Sequence, residues 1–298
     1  MFEWMMVLLL AHFTADFVLQ TNRMNDLKKR KRHTGLFFHA GTHFLTSAFA
    51  VVIFAWSTAN SESNIFSISL WLAIVLISLS HYGVDWLKEA LVMRFPRPLY
   101  AALLFIADQI AHITWLFVIG RMLGIYQWNF IQAKTKLLQF LFDDLEFGNM
   151  TKLLLLAILV IIATKGTGYF LGILLRDMLP GPVLEKGKYN ISNEQTEIKT
   201  TVNEKGEQEN VITTTKTEQL LSDSPQRMGR YIGMAERMLI IIFIVQGTPQ
   251  GLAYLIAVKS LTRFKQFESK QFAEYYLIGS LLSALIAVVI GYIVVRIL

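Results

Sequence analysis

Pairs of His and Asp residues four positions apart recur in the first 112 residues of this chain. One pair is His12 with Asp16, and another, His81 with Asp85, has the same order. Residues with this spacing lie on one face of a helix, so both side chains of a pair can point to one centre. Imidazole and carboxylate groups suit Zn, Mn, Fe or Ni, and the chain has no cysteine to add a thiolate. The candidate metal ligands are His12, Asp16, His39, His43, His81, Asp85, Asp108 and His112.

These eight residues form two copies of one pattern. Adding 69 to the positions of His12, Asp16, His39 and His43 gives the positions of the other four. The constant offset predicts a tandem repeat of a two-helix unit. A two-helix unit restores its own topology, so the two copies are expected to be related by a pseudo-two-fold axis along the membrane normal.

Hydropathy predicts that the repeat lies within membrane-spanning helices. Hydrophobic residues make up 54% of the 298 residues, and the mean hydropathy is +0.45, which is more than a soluble core absorbs. A span needs about 20 residues. The predicted fold is therefore an all-α polytopic membrane protein with about six transmembrane helices, the first retained and not a cleaved signal peptide. The candidate spans are residues 4–19, 37–56, 68–92, 99–120, 152–175 and 275–298.

The distribution of basic residues predicts the orientation. Lys and Arg are retained on the cytoplasmic side, and the strongest basic cluster, residues 28–32, follows the first span. The N-terminus of this multi-pass protein is therefore expected outside. With this orientation each His/Asp pair lies in the cytoplasmic half of its helix, most of them within about 5 to 15 Å of the inner boundary.

A further apolar stretch, residues 238–258, is interrupted at 246–251 by Gln, Gly, Thr and Pro. Each half has about ten residues, too few to span a bilayer. A single crossing would also place the basic segment 259–270 outside, against the charge rule. We therefore predict a re-entrant helical hairpin whose tip faces a polar cavity; one kinked spanning helix is the alternative.

These patterns divide the chain into four regions, and the third of them is a polar insertion. Between the last two spans lies a segment rich in Thr, Glu, Asn and Lys. It is expected to be a solvated insertion or flexible loop, and a hairpin over 198–215 is the alternative. The regions are 1–125, the four-helix repeat; 126–179, an outer amphipathic loop and the fifth span; 180–228, the cytoplasmic polar insertion; and 229–298, the re-entrant hairpin and the last span.

Eight ionisable residues at one membrane depth require a common explanation. Each uncompensated charge costs about 2.5 to 3.5 kcal/mol at the centre of a helix. Two explanations stay open: a site for two divalent transition-metal ions, Zn, Mn or Fe, or a metal-free proton relay or polar network. For a single pair, a buried residue bonded to a neighbouring helix would be explanation enough.

Paired metal ions at the inner face of a membrane suggest hydrolysis, because they activate water and stabilise phosphoryl or acyl transfer. The leading hypothesis is a metal-dependent hydrolase acting on a phosphorylated or ester-linked lipid at the cytoplasmic leaflet. A metal-ion or proton-coupled transporter and a membrane anchor or partner-binding subunit are the alternatives. No nucleic-acid partner is expected, because the strongest cluster of the +6 net charge lies beside the membrane. The candidate head-group contacts are Lys165, Arg237, Lys259 and Arg263.

Several segments also resemble a known family. They include Ala11-His12-Phe-Thr-Ala-Asp16 and Ser80-His81-Tyr-Gly-Val-Asp85, with further segments at 108–112, 229–237, 259–264 and 273–275. Together they are similar to the bacterial membrane family called domain of unknown function 3307, over most of the chain except 180–225. This resemblance implies membership, and with it a location in the bacterial inner membrane, but not a mechanism. The N-terminal half is more loosely similar to membrane-bound metal-dependent hydrolases.

Overall fold

The computed structural model describes residues 2–30, 32–57, 67–126, 130–142, 146–179, 190–202, 208–220, 228–262, 264, 267 and 270–298. It has a helical unit, Met1–Leu179 with Tyr231–Leu298, and a second unit, Pro180–Arg230. The α-helices are α1 Phe2–Phe13, α2 Asn22–Arg30, α3 Arg32–Ser57, α4 Ile68–Arg94, α5 Pro98–Met122, α6 Phe130–Phe142, α7 Asn149–Ile161, α8 Thr167–Leu174, α9 Met228–Val245, α10 Gln250–Thr262 and α11 Lys270–Ile297.

Five helices are long and apolar enough to cross a membrane. Their outer surfaces carry large apolar side chains: Trp56 on α3 is 86% exposed and Ile68 on α4 is 83% exposed. Continuous exposed apolar surface of this kind needs a covering, and lipid supplies it. The chain is thus a multi-pass membrane protein, as predicted. The five helices are α3, α4, α5, the continuous run Asn149–Leu174 and α11.

The first predicted span is a helical run of two types. Helix α1 continues directly into a π-helical segment, Thr14–Leu19. The Thr14 hydroxyl donates to the carbonyl of Leu10 at 2.7 Å. A second π-helical segment, Ile162–Gly166, connects α7 to α8. Such wide turns occur frequently at functional sites, and the first of them carries Asp16.

The bundle has an apolar layer at one end and a polar layer at the other. Leu8 on α1, Val51 on α3 and Ile74 on α4 are all buried in the apolar layer. Leu116 on α5 and Ile158 on α7 complete it. On α1 with its π-helical extension, α3, α4 and α5, the His and Asp residues lie one to four turns from these apolar residues, so they share a layer of their own.

The interrupted stretch at 238–258 forms a helical hairpin. Helix α9 ends at Val245, and the turn contains Gly247 with φ +66°, a conformation that glycine adopts without strain. Helix α10 then folds back alongside α9. The contact that shows this is between Lys259 on α10 and Glu236 on α9, whose carboxylate accepts a hydrogen bond from the lysine at 2.6 Å.

The second unit contains a two-stranded antiparallel sheet. Strand β1 Asn190–Val202 pairs with β2 Gln208–Leu220, with Val202 opposite Gln208. The hairpin alternative for this insertion is therefore confirmed, and the sheet is longer than the pattern at 198–215 indicated. It is the departure from the predicted all-α fold among the described residues, and β-branched Thr, Ile and Val favour it.

Candidate metal centre

All eight predicted ligands lie buried in one connected cluster. Helix α1 and its π-helical extension carry the first pair, and α3, α4 and α5 carry one pair each. The exposed fractions of these residues range from 1% for His39 to 7% for Asp16. The cluster consists of His12, Asp16, His39, His43, His81, Asp85, Asp108 and His112.

Asp16 is the centre of the first half of the cluster. Its Oδ1 lies 2.9 Å from His43 Nε2 and 3.1 Å from His39 Nε2. Its Oδ2 accepts a hydrogen bond from the Gln109 amide at 2.9 Å and lies 3.5 Å from His12 Nε2. One carboxylate thus joins α1 to α3 and α5.

Asp85 and Asp108 organise the second half. His39 Nε2 and His81 Nε2 lie 3.6 and 3.7 Å from Asp85 Oδ2. His112 Nε2 lies 3.7 Å from Asp85 Oδ1 and 3.2 Å from Asp108 Oδ1. His39 and His81 connect the two halves, since His81 Nε2 is also 3.6 Å from Asp16 Oδ1.

The geometry of the cluster is suited to metal ions. Two groups bring one ligand atom per residue within 4.8 Å of one another, and Zn²⁺ binds such atoms at about 2.0 to 2.2 Å, so small side-chain rotations complete either site. Several polar atoms are buried with no hydrogen-bond partner, which is rare in native proteins. These atoms are His39 Nδ1, His81 Nδ1 and His81 Nε2. Two more, Asp108 Oδ1 and His112 Nε2, lie 3.2 Å apart without the geometry of a hydrogen bond. The ligand groups are Asp16, His39, His43 and His81, and His81, Asp85 and His112.

Two lysines enter the cluster, and sequence reasoning missed both. Lys28 Nζ lies 2.6 Å from Asp85 Oδ2, and Lys88 Nζ lies 2.9 Å from Asp108 Oδ2. Lys28 was interpreted only as part of the basic cluster that sets orientation. Lys88 stands three residues after Asp85 on the same helix, a spacing that could have identified it.

A glycine on α3 allows Lys28 to reach the cluster. A Cβ on Gly35 would lie 2.4 Å from the backbone nitrogen of Lys28. Any residue other than glycine at position 35 would therefore keep α2 farther from α3. Gly35→Ala is expected to displace α2 and to lower the melting temperature of the purified protein by several degrees, about 1 to 3 kcal/mol of stability. Gly41→Ala on the same helix is the matched control, since no atom lies within 4 Å of its Cβ position. Equal melting temperatures for the two variants would contradict this packing.

The structure does not bring the four predicted head-group contacts together beside the cluster. Lys165 is half-buried in the second π-helical segment, and Lys259 is paired with Glu236. Arg263 lies outside the described residues. Arg237 is 3% exposed and donates to the carbonyls of Ala163 and Thr164 and to Ser283.

These contacts give Arg237 a structural explanation. A π-helical segment leaves carbonyls without their usual helical partners, and the guanidinium group supplies donors to two of them, with 2.8 Å to the Thr164 oxygen. It thereby joins α9 to the α7–α8 run and to α11. A head-group role for these four cations stays a prediction.

The fold and the cluster define a class: multi-pass membrane proteins whose helical bundle encloses a buried His/Asp site. Within that class, residues 4–141 match the family described as "Protein of unknown function (DUF3307)". This confirms the predicted family for the region that holds all eight predicted ligands. The match ends before the C-terminal segments that also carried the resemblance. No curated protein and no solved structure matches the chain, so the similarity to hydrolases gains no support.

Proposed function

We propose that this protein is an integral membrane metalloprotein that holds two divalent transition-metal ions, Zn, Mn or Fe, between its first four spans. The convergence of eight buried candidate ligands, with three histidine nitrogens that lack a hydrogen-bond partner, carries this proposal. A metal-free polar network would be expected to satisfy its own buried donors and acceptors. The second copy of the pattern supports two ions over one.

Contacts within the cluster support the tandem repeat. His12 to Asp16 is 3.5 Å and the equivalent pair, His81 to Asp85, is 3.7 Å. His43 to Asp16 is 2.9 Å, and its equivalent, His112 to Asp85, is 3.7 Å. The copies differ at His39, whose counterpart is Asp108, and in the π-helical segment, which belongs to the first copy alone among the described residues.

The proposed activity is metal-dependent hydrolysis of a phosphorylated or ester-linked lipid at the cytoplasmic leaflet. A water oxygen would bond to the phosphorus or acyl carbon, the ester bond would break, and the departing alkoxide would take a proton. The ions would supply the activated water and stabilise the developing charge. Transport is less well supported, because the buried layer between the cluster and the predicted outer end is apolar, as Val51 and Ile74 show.

Hydrolysis can be tested with purified protein in nanodiscs. We expect Zn²⁺, Mn²⁺ or Fe²⁺ to restore release of phosphate or fatty acid from a lipid substrate after chelation, and chelation to abolish it. Phosphatidic acid and a neutral diacylglycerol distinguish the phosphoryl from the acyl reaction. Protein that carries its metal and cleaves neither lipid would contradict the hydrolase proposal but not the metal site.

Contacts at both ends of the bundle support a re-entrant hairpin and six spans. Lys152 at the start of α7 donates to the carbonyl of Leu298 at 2.7 Å, so α7 begins where α11 ends. A Cβ on Gly279, in the first half of α11, would lie 3.2 Å from Leu175 after α8. The chain between α8 and α11 therefore returns to the side that it left. Two crossings would need both helices of the hairpin to span, and α10, with 13 residues, is too short to do so.

The absence of cysteine allows a test of this topology without background labelling. Gly229→Cys before the hairpin and Thr262→Cys after it are expected to react with an impermeant maleimide from the same, cytoplasmic side. Arg23→Cys serves as the cytoplasmic control and Glu146→Cys as the outer one. Labelling of the first two positions from opposite sides would show a single spanning helix instead.

A further inference from the structure

Two ammonium groups reach the cluster from the same end of the bundle. Lys28 is 8% exposed, and the Lys88 side chain is 25% exposed. Lys88 follows Asp85 toward the end of α4 at Arg94, the end predicted to be cytoplasmic. Lys28 lies on α2, in the basic segment of the same predicted side. Neither lysine can bind a metal ion while it is protonated, so the proposed ligand set gives them no role.

The charges of the cluster indicate what the lysines are for. Three aspartates and two lysines leave one net negative charge when the five histidines are neutral. Two divalent ions would change this to three positive charges. Uncompensated charge is costly at membrane depth, so the metal-loaded site must also take up an anion. A phosphate group carries about 1.5 to 2 negative charges at neutral pH, which removes most of the excess.

We infer that Lys28 and Lys88 form the phosphate-binding part of this site and select a phosphate monoester over a neutral ester. Each ammonium group neutralises an aspartate, Asp85 or Asp108, while no cation is bound. When the aspartates bind metal, the lysines turn to the phosphate oxygens beside them. Lysine binds phosphate as a mobile point charge, which suits a group that exchanges one anionic partner for another.

Two of the predicted head-group cations are already bound to other protein groups. Arg237 donates to two backbone carbonyls and a serine, and Lys259 is paired with Glu236. Lys28 and Lys88 are therefore the cations that the described structure places against the ligands themselves. Lys88 is partly exposed, so an anion from the cytoplasmic side would meet it first.

This inference rests on the proposed metal site, and the test separates the two. Full-length protein is loaded with Mn²⁺ or Zn²⁺, its metal content is measured, and binding of inorganic phosphate is then followed by calorimetry. Nanodiscs with phosphatidic acid or phosphatidylcholine, compared in the same way, distinguish a lipid head group from free phosphate. Metal-loaded wild-type protein that binds neither phosphate nor phosphatidic acid overturns the inference, whereas protein that takes up no metal contradicts the proposed function.

Variants identify the residues. Lys28→Gln and Lys88→Gln are each expected to keep their metal and to weaken phosphate binding by at least about tenfold, the effect of losing one charge-assisted hydrogen bond. Lys270→Gln is the control, because that side chain is 90% exposed on α11. Unchanged phosphate affinity in both cluster variants would overturn the assignment. The wild-type measurement decides the inference even if a variant fails to fold.

Discussion

Asp16→Asn is expected to lower the metal content of the purified protein by at least about one equivalent, because even loss of an outer-shell partner weakens metal binding by about 10- to 100-fold. Asp16 lies within 3.1 Å of His39 and His43, so its carboxylate belongs to the larger of the two ligand groups. Asn preserves the size of the side chain but removes the negative charge that a cation needs. Elemental analysis of the variant beside the wild type gives the measurement.

The matched control for this variant is Asp177→Asn. Asp177 lies in an exposed turn after α8, where its side chain is 66% exposed and contacts Arg176. It is expected to retain the full metal content. Equal metal in the two variants would show that Asp16 is not a ligand, and loss in both would point to a general effect of purification.

Arg237→Met is expected to produce the largest loss of stability, roughly 2 to 4 kcal/mol, because removal of the guanidinium leaves buried acceptors unpaired. Those acceptors are the carbonyls of Ala163 and Thr164, and the bond to Ser283 at 3.0 Å is lost as well. Met fills a similar volume, so the missing hydrogen bonds dominate the effect. The free energy of unfolding can be measured in detergent micelles by titration with a denaturant.

Arg176→Met provides the comparison, since the Arg176 side chain is 54% exposed and exposed ion pairs contribute about 0 to 1 kcal/mol. A small effect is expected there. If both substitutions change stability equally, Arg237 does not have the cross-linking role assigned to it. A stable Arg237→Met variant that loses lipid binding would instead favour the predicted head-group role.

The buried His/Asp cluster could be predicted because spacing and depth are properties of the sequence itself. A pair four residues apart on an apolar helix shares one face, and the offset of 69 links the pairs before any fold is known. Hydropathy likewise predicted the five long helices within a few residues of their observed ends. These signals are local or periodic, and a single chain is enough to reveal them.

Other features depend on how the helices pack, and the sequence did not reveal them. In the sequence, Lys28 is indistinguishable from other basic residues that flank a membrane span. Its role depends on the close packing of α2 against α3 at Gly35. The burial of Arg237 depends on the π-helical segment around Ala163, which no pattern in that apolar run predicts. The two lysines that join the site are therefore findings of the structure, and they replace a more distant cationic rim as the strongest candidates for an anion-binding surface.

The most direct test of the whole account is the metal content of wild-type protein, purified without chelator and measured by elemental analysis. The buried cluster of five histidines and three aspartates predicts about two equivalents of transition metal per chain. Folded protein that contains less than about one equivalent, even after incubation with Zn²⁺, Mn²⁺ and Fe²⁺, would contradict a dinuclear site. The cluster would then be a metal-free polar network.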